Sequence, residues 1–234
     1  MILIWMGWDG IITMGETIKV TSADGFTFSA YVSGQPDAGK GLVLIQEIFG
    51  VNHHIRDMAD RFGAAGYSVI APAVYDRIQP GFEVGYTPED IAKGRDVRMK
   101  LNDAQLIMDV EAAAAHLGQK KIGIVGYCFG GTVSWWGATR SKRFAASSCW
   151  YGGGIPGTKD ERPNCPVQMH FGEKDASIPM SDVDAIRAAQ PKVDIYVYAG
   201  AEHGFGCNER GSYSKPDYDL AQQRTLAFFA KHLG

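Results

Sequence analysis

A thiol, a carboxylate and an imidazole together perform acyl transfer, and this chain offers them at Cys128, Asp175 and His203, in that order. Cys128 stands in Gly126-Tyr127-Cys128-Phe129-Gly130-Gly131. The apolar run Lys121-Ile122-Gly123-Ile124-Val125 precedes it, and Thr132-Val133-Ser134-Trp135-Trp136-Gly137-Ala138 follows. The first reads as a buried parallel strand and the second as a helix, so Cys128 is expected at the tip of a strand–turn–helix elbow. Gly126 and Gly130 fall at i−2 and i+2, where a Cβ would collide as strand and helix close on each other. The partial positive charge of a helix N-terminus suits an attacking sulfur anion. Taken alone, the motif also fits a buried structural cysteine in a Gly-rich turn, so its partners decide.

Those partners recur in one kind of place. Val167-Gln168-Met169-His170-Phe171 reads as a strand, and Asp175 ends the Gly172-Glu173-Lys174-Asp175 segment after it. Residues 193–198 read as the next strand, followed by Gly200-Ala201-Glu202-His203-Gly204-Phe205. Open α/β sheets build their sites at the carboxyl ends of strands, so all three groups are expected on one edge. Nucleophile, acid, base is also the chain order of α/β-hydrolases.

The elements that must position them alternate. Residues 16–20 and 26–32 read as a hairpin around Asp24-Gly25, and Leu42-Val43-Leu44-Ile45 as a strand covered on both faces. Asn52 is expected to cap a helix whose Ile55, Met58, Ala59 and Phe62 share one face, with Gly66 ending it. Ser68-Val69-Ile70-Ala71 is the next strand, stopped by Pro72. Residues 73–95 read as an irregular loop at the strand ends. A long helix follows, carrying Leu101, Ala104, Met108, Ala112 and Ala115 on one side and ending at Gly118. Residues 144–151 read as a strand. Ser181 and Asp184 resemble a capping pair for a helix through Ala189, and 217–233 form the closing helix. Strands alternating with helices predict a mostly parallel central sheet with helices on both faces.

Composition narrows the function classes. A chain of 234 residues, 45% hydrophobic, buries roughly three quarters of its extended surface as one domain, here 14–234. A net charge of −3 without a basic run implies no nucleic-acid partner. The four cysteines, at 128, 149, 165 and 207, form no C-x-x-C or zinc spacing. His53, His54, His116, His170 and His232 form no H-E-x-x-H, so neither metal nor cofactor is expected. A nucleophilic thiol argues for a reducing compartment, the cytoplasm. Met1-Ile2-Leu3-Ile4-Trp5-Met6 is too short to span a bilayer and no Lys or Arg precedes it, so no membrane partner is expected and 1–13 read as an N-terminal extension. The expected partner is a small ester or lactone, for a monomer or small homo-oligomer.

From about Gly15 to Leu233 the chain resembles the dienelactone hydrolase family, which has the α/β-hydrolase fold. The resemblance is carried by Gln46-Glu47-Ile48-Phe49-Gly50, Gly126-Tyr127-Cys128-Phe129-Gly130-Gly131, the Gly172-to-Asp175 loop with Pro179, and His203-Gly204-Phe205, supported by Arg224-Thr225-Leu226-Ala227-Phe228-Phe229. It implies a hydrolase of carboxylic esters of the carboxymethylenebutenolidase kind. Glu47 would contact the resting thiol and take its proton when substrate arrives. The backbone N–H groups of Phe129 and Ile48 would form the oxyanion hole. Arg77 matches an arginine that binds the substrate carboxylate; the alternative is a solvated loop arginine. Cys207 departs from the pattern, standing where the best-known members carry a second carboxylate-binding arginine. Arg210, in a loop with Gly204, Gly206 and Gly211, is a candidate replacement, although Glu209 could instead pair with it. Trp150 and Tyr151 are candidates for lining the acyl pocket, or for core.

The expected function is opening of an enol-lactone or related small carboxylate-bearing ester through a thioester acyl-enzyme. The alternatives are a broad carboxylesterase or thioesterase on neutral acyl esters, and a non-catalytic fold that binds small acids or senses oxidation through Cys128.

Overall fold

A computed structural model describes residues 15–234, so the reading of 1–13 as an extension falls outside the described residues. The chain divides into two compact units, one ending at Ile122 and the other running from Gly123 to Gly234. The first contains strands β1 (Glu16–Thr21), β2 (Thr27–Ser33), β3 (Lys40–Ile45) and β4 (Ser68–Pro72) in the order β1-β2-β4-β3. The β1–β2 and β2–β4 pairings are antiparallel and β3–β4 is parallel. Its helices are α1 (His53–Ala64), α2 (Pro88–Met99) and α3 (Asp103–Leu117). Leu42, Val43, Leu44 and Ile45 of β3 have no solvent exposure, as a strand without a polar face must.

In the second unit β5 (Lys121–Tyr127), β6 (Ala146–Trp150), β7 (Val167–Gly172) and β8 (Asp194–Tyr198) follow in order, every neighbouring pair parallel. Its helices are α4 (Phe129–Arg140), α5 (Met180–Ala189) and α6 (Lys215–Leu233). The result is an α/β fold of mostly parallel strands flanked by helices. No helix among the described residues is long and apolar enough to cross a membrane.

Local chemistry explains most boundaries. Gly25, at φ 84°, turns the β1–β2 hairpin. Asn52 caps α1, its side chain accepting from the Ile55 N–H at 3.3 Å. Gly118, left-handed at φ 62°, ends α3.

Three expectations need correction. The long helix begins only at Asp103, leaving Leu101 outside it, and its buried side is Leu106, Asp109, Val110, Ala113 and Ala114, not the face expected from Ala104, Met108, Ala112 and Ala115. The segment read as irregular from 73 to 95 is helical from Pro88. Thr87 Oγ1 accepts from the Asp90 N–H and Asp90 accepts from the Thr87 N–H, both at 3.2 Å, a reciprocal cap with Pro88 at the first helical position. Only Gly94 and Val97 of α2 are buried, so there is no apolar stripe for a periodicity reading to find. The Ser181/Asp184 pair does not cap α5 either. Pro179 holds the cap position without a side-chain bond, and Asp184 pairs with Arg187 at 2.7 Å.

Candidate active site

The second unit assembles the three expected groups from three consecutive strand ends. Cys128 lies between β5 and α4 with φ 56° and ψ −117°, a conformation costly for any side chain-bearing residue and typical of a functional turn. A Cβ at Gly126 would collide with the Gly130 backbone, and one at Gly131 with the Trp150 carbonyl. Glycine at both positions lets β5, α4 and β6 close tightly enough to present the sulfur. Gly131 is a requirement that sequence reasoning missed, since it is set by β6, a neighbour in space only.

Two loops are clamped together and carry the expected acid and base. Lys174 N–H donates to the Ala201 carbonyl at 2.8 Å and Glu173 N–H to Tyr198 at 3.0 Å, while Glu173 Oε2 accepts from the Gly200 N–H at 2.9 Å. A Cβ at Gly172 would strike Ala201. The clamp puts Asp175 Oδ2 2.7 Å from His203 Nδ1, and Asp175 Oδ1 accepts from the Ser177 N–H at 2.8 Å. With Nδ1 engaged, the other ring nitrogen points at sulfur: His203 Nε2 is 3.2 Å from Cys128 Sγ.

The Asp175 side chain is fully buried while that of His203 keeps 20% exposure, so the dyad is anchored at one end and open at the other. Burial disfavours charge on the imidazole, but the electrostatic influence of Cys128 and the hydrogen bond to Asp175 outweigh it, raising His203 to about 10. Such an array can hold a proton on nitrogen beside a nucleophilic sulfur and return it to a leaving group.

The remaining expected residues fare differently. Phe129 opens α4, so its N–H lies at the helix N-terminus directly after Cys128. In the first unit Glu47 and Ile48 follow β3. Glu47 is fully buried, and Gly94 of α2 packs so closely on the Ile48 carbonyl that a Cβ there would collide.

Arg77 is a correction. Its Nε and Nη2 each donate to Asp109 at 2.7 Å, Nη1 lies 2.9 Å from Asp24 Oδ2, and the guanidinium sits over the Phe26 ring at 4.4 Å. Hydrogen bonds to Asp109 and then Asp24 hold it charged beyond its ordinary range. With every nitrogen on a carboxylate, Arg77 here serves as a structural ion-pair centre instead of a receptor for a substrate carboxylate.

Trp150 is a correction too. Fully buried, it packs on Tyr127, His170, Phe205 and Tyr218 at centroid distances from 4.9 to 6.3 Å, so it is core. Tyr151 is equally buried, and its ring meets His203 at 5.1 Å. Arg210 turns back along its loop until its guanidinium lies against Gly204, where a Cβ would meet Nη1 at 2.5 Å. Gly204, at φ 77°, supplies that space next to His203.

Comparison with known proteins agrees with this architecture. The dienelactone hydrolase family is matched over residues 28–233. A Synechocystis protein named "Putative carboxymethylenebutenolidase" is 38% identical over 212 residues, covering 82% of this chain and 86% of its own. A Salmonella typhimurium protein of the same name is 30% identical, covering 97% and 90%. The crystal structure of a "Putative Dienelactone Hydrolase" from Klebsiella pneumoniae superposes with a TM-score of 0.78 at 30% identity, covering 93% of this chain and 99% of its own. The chain belongs to the dienelactone hydrolase family, hydrolases of ester bonds with an α/β-hydrolase fold.

Proposed function

We propose that the protein hydrolyses small lactones or esters through Cys128, forming and then breaking a thioester acyl-enzyme. The observation that carries this reading is the Cys128 Sγ–His203 Nε2–Asp175 chain, at 3.2 and 2.7 Å, on a strained turn. Sulfur attacks the ester carbonyl and the C–O bond to the leaving group breaks, with His203 giving that oxygen a proton. Water then attacks the thioester, loses a proton to His203, and the sulfur leaves as the acid forms. Asp175 fixes the imidazole tautomer throughout. The Phe129 and Ile48 amides are assigned to the developing oxyanion, where one donor is typically worth ~3 kcal/mol. Glu47, carried on a buried loop, is assigned to taking the thiol proton on substrate binding and returning it to the sulfur as the acid leaves; the proton that His203 gives the leaving group is its own, restored by the attacking water.

The substrate reading is an enol-lactone or related small ester that bears a carboxylate. An enol leaving group needs less protonation than an alkoxide, which suits a sulfur nucleophile. Arg210, folded back beside His203, is the cation assigned to the substrate carboxylate. The saturation of Arg77 by Asp109 and Asp24 favours a second reading, a broad esterase or thioesterase on neutral acyl esters.

Turnover of an anionic lactone and a neutral ester of similar size, by the wild type, Cys128→Ala and Arg210→Ala, tests both. Cys128→Ala is expected to stay folded and hydrolyse neither; retained turnover would remove Cys128 as nucleophile. A charge-assisted contact is worth ~1.5–3 kcal/mol, so Arg210→Ala should raise KM for the anionic lactone by about 10- to 150-fold and leave the neutral ester unchanged. Equal behaviour toward both substrates would select the broad-esterase reading.

A further inference from the structure

The described residues contain two non-glycine residues with left-handed backbone, and they are joined. Cys128 has φ 56° and Tyr151 φ 38°. The Cys128 N–H donates to the carbonyl of Trp150, one residue before Tyr151, at 3.0 Å. The Tyr151 N–H in turn donates to the His170 carbonyl on β7 at 2.8 Å. A bulky side chain in this region costs roughly 1–3 kcal/mol and persists only where its surroundings over-determine it. At Tyr151 those surroundings are aromatic. Its ring meets Trp150 at 6.3 Å, Tyr127 at 6.2 Å and Phe205 at 5.5 Å. Gly206 leaves room for it, since a Cβ there would lie 3.2 Å from the tyrosine oxygen.

The face of this box still to be named is the catalytic imidazole. His203 meets the Tyr151 ring at 5.1 Å with an interplanar angle of 63°, an edge-on contact. Hydrogen bonds to Asp175 and Cys128 restrain the imidazole in its own plane but leave tilt about the Nδ1–Nε2 line weakly opposed. A ring packed against its side opposes that tilt.

We infer that Tyr151 is a positioning residue, held in a strained turn so that its buried ring fixes the tilt of the His203 imidazole between Asp175 and Cys128. This deepens the reading of Cys128 and His203 as nucleophile and proton carrier, and rests on it. It also replaces the expected role of Tyr151 in the acyl pocket. One backbone junction thereby serves both groups, Trp150 through its carbonyl to Cys128 and Tyr151 through its ring to His203. Besides Tyr151, the groups facing the imidazole are the Cys128 sulfur and the Asp175 carboxylate, with the Arg210 guanidinium against neighbouring Gly204.

The test uses Tyr151→Phe, Tyr151→Leu and Tyr151→Gly in the full chain. It reads kcat and KM on p-nitrophenyl acetate and the His203 titration by NMR. Misplacement by about 1 Å costs up to ~100-fold, so the leucine and glycine variants should lose roughly 10- to 100-fold in kcat with KM nearly unchanged. In both, the His203 midpoint should fall from about 10 toward the ordinary 6.5 as its contact with sulfur loosens. Phenylalanine keeps the ring and should restore both readouts to within about threefold of the wild type, a small fraction of the misplacement penalty. Glycine separates strain from contact, because it relieves the backbone yet removes the ring.

Wild-type kcat and an unmoved His203 midpoint in the glycine or leucine variant would overturn the proposal. So would a phenylalanine variant as impaired as leucine, which would assign the effect to the hydroxyl. If the leucine and glycine variants do not fold, Gly206→Ala presses on the Tyr151 hydroxyl as well as on Trp150, and an unmoved His203 midpoint there also overturns it. The titration needs no substrate, so absence of turnover in the wild type would sink the hydrolase reading while leaving the positioning test intact.

Discussion

Each unit of the molecule holds a three-member cluster of ionisable side chains with a buried aspartate at its root, and the two are wired oppositely. In the first, the Asp109 side chain is 1% exposed and grips Arg77 by two bonds of 2.7 Å, while Asp24 takes the rest of the fork. In the second, the Asp175 side chain is fully buried and grips His203 at 2.7 Å, but the chain of contacts ends on the sulfur of Cys128, at a strained turn and partly open to solvent. In the first cluster every guanidinium nitrogen is already on a carboxylate. The second keeps its charge poised at one unfinished end. Buried charge by itself therefore says little about reactivity; what matters is whether the cluster closes on itself.

The largest expected effect comes from breaking the open cluster. His203→Ala should lose roughly 10²–10⁴-fold in kcat, the usual worth of a positioned proton carrier, with little change in the urea midpoint. Retained activity would mean the open end is not the reactive one.

Breaking the closed cluster should have the opposite signature. Asp109→Asn leaves Arg77 buried without its main counter-charge, and losing one partner of a buried pair typically costs ~3–5 kcal/mol of stability. Denaturation should show that loss while kcat of the folded enzyme stays at the wild-type value. Asp24→Asn, at the more exposed end of the fork, should destabilise less than Asp109→Asn. A fall in kcat with stability intact would return Arg77 to the substrate site.

The pH dependence of stability sharpens the contrast further. His203 is raised in the fold, so its protonated ring stabilises fully below about 6.5, and that contribution disappears as pH rises through about 10. His170, in the same unit, is lowered to about 3 by burial and then by Arg224. Its neutral ring, bonded to Tyr198 at 2.8 Å and Thr225 at 3.3 Å, contributes stability above about 6.5 that is lost as pH falls toward 3. Urea midpoints across this range should show His170→Gln flattening the acid limb and His203→Gln the alkaline limb. Interchanged or unaffected limbs would break the assignment of the two histidines.

Much of this was legible in the amino-acid order. Cys128 was readable because an apolar run, a Gly-flanked turn and a helix-forming segment are local signals, and Asp175 and His203 because each directly follows its own strand. Asn52 and Gly118 fixed helix ends through bonds and dihedrals that reach only a few residues. The α2 helix escaped a reading based on apolar periodicity because it has almost no buried face, although its Thr87–Asp90 cap was present as a signal.

Whatever depended on partners distant in sequence was decided by tertiary structure. Arg77 read as a substrate-carboxylate binder by resemblance, or else as a solvated loop arginine; its partners are Asp109, 32 residues on, and Asp24, 53 residues back. Trp150 and Tyr151 read as one aromatic pair; both are buried in the same aromatic cluster, and Tyr151 also meets His203. Gly131 mattered because β6 passes beside it. Sequence by itself determined which groups the chain carries to the strand ends, since strand, turn and cap are short-range physics. Which of those groups are neutralised and which stay reactive is a property of neighbours in space, and only the packed fold assigns them.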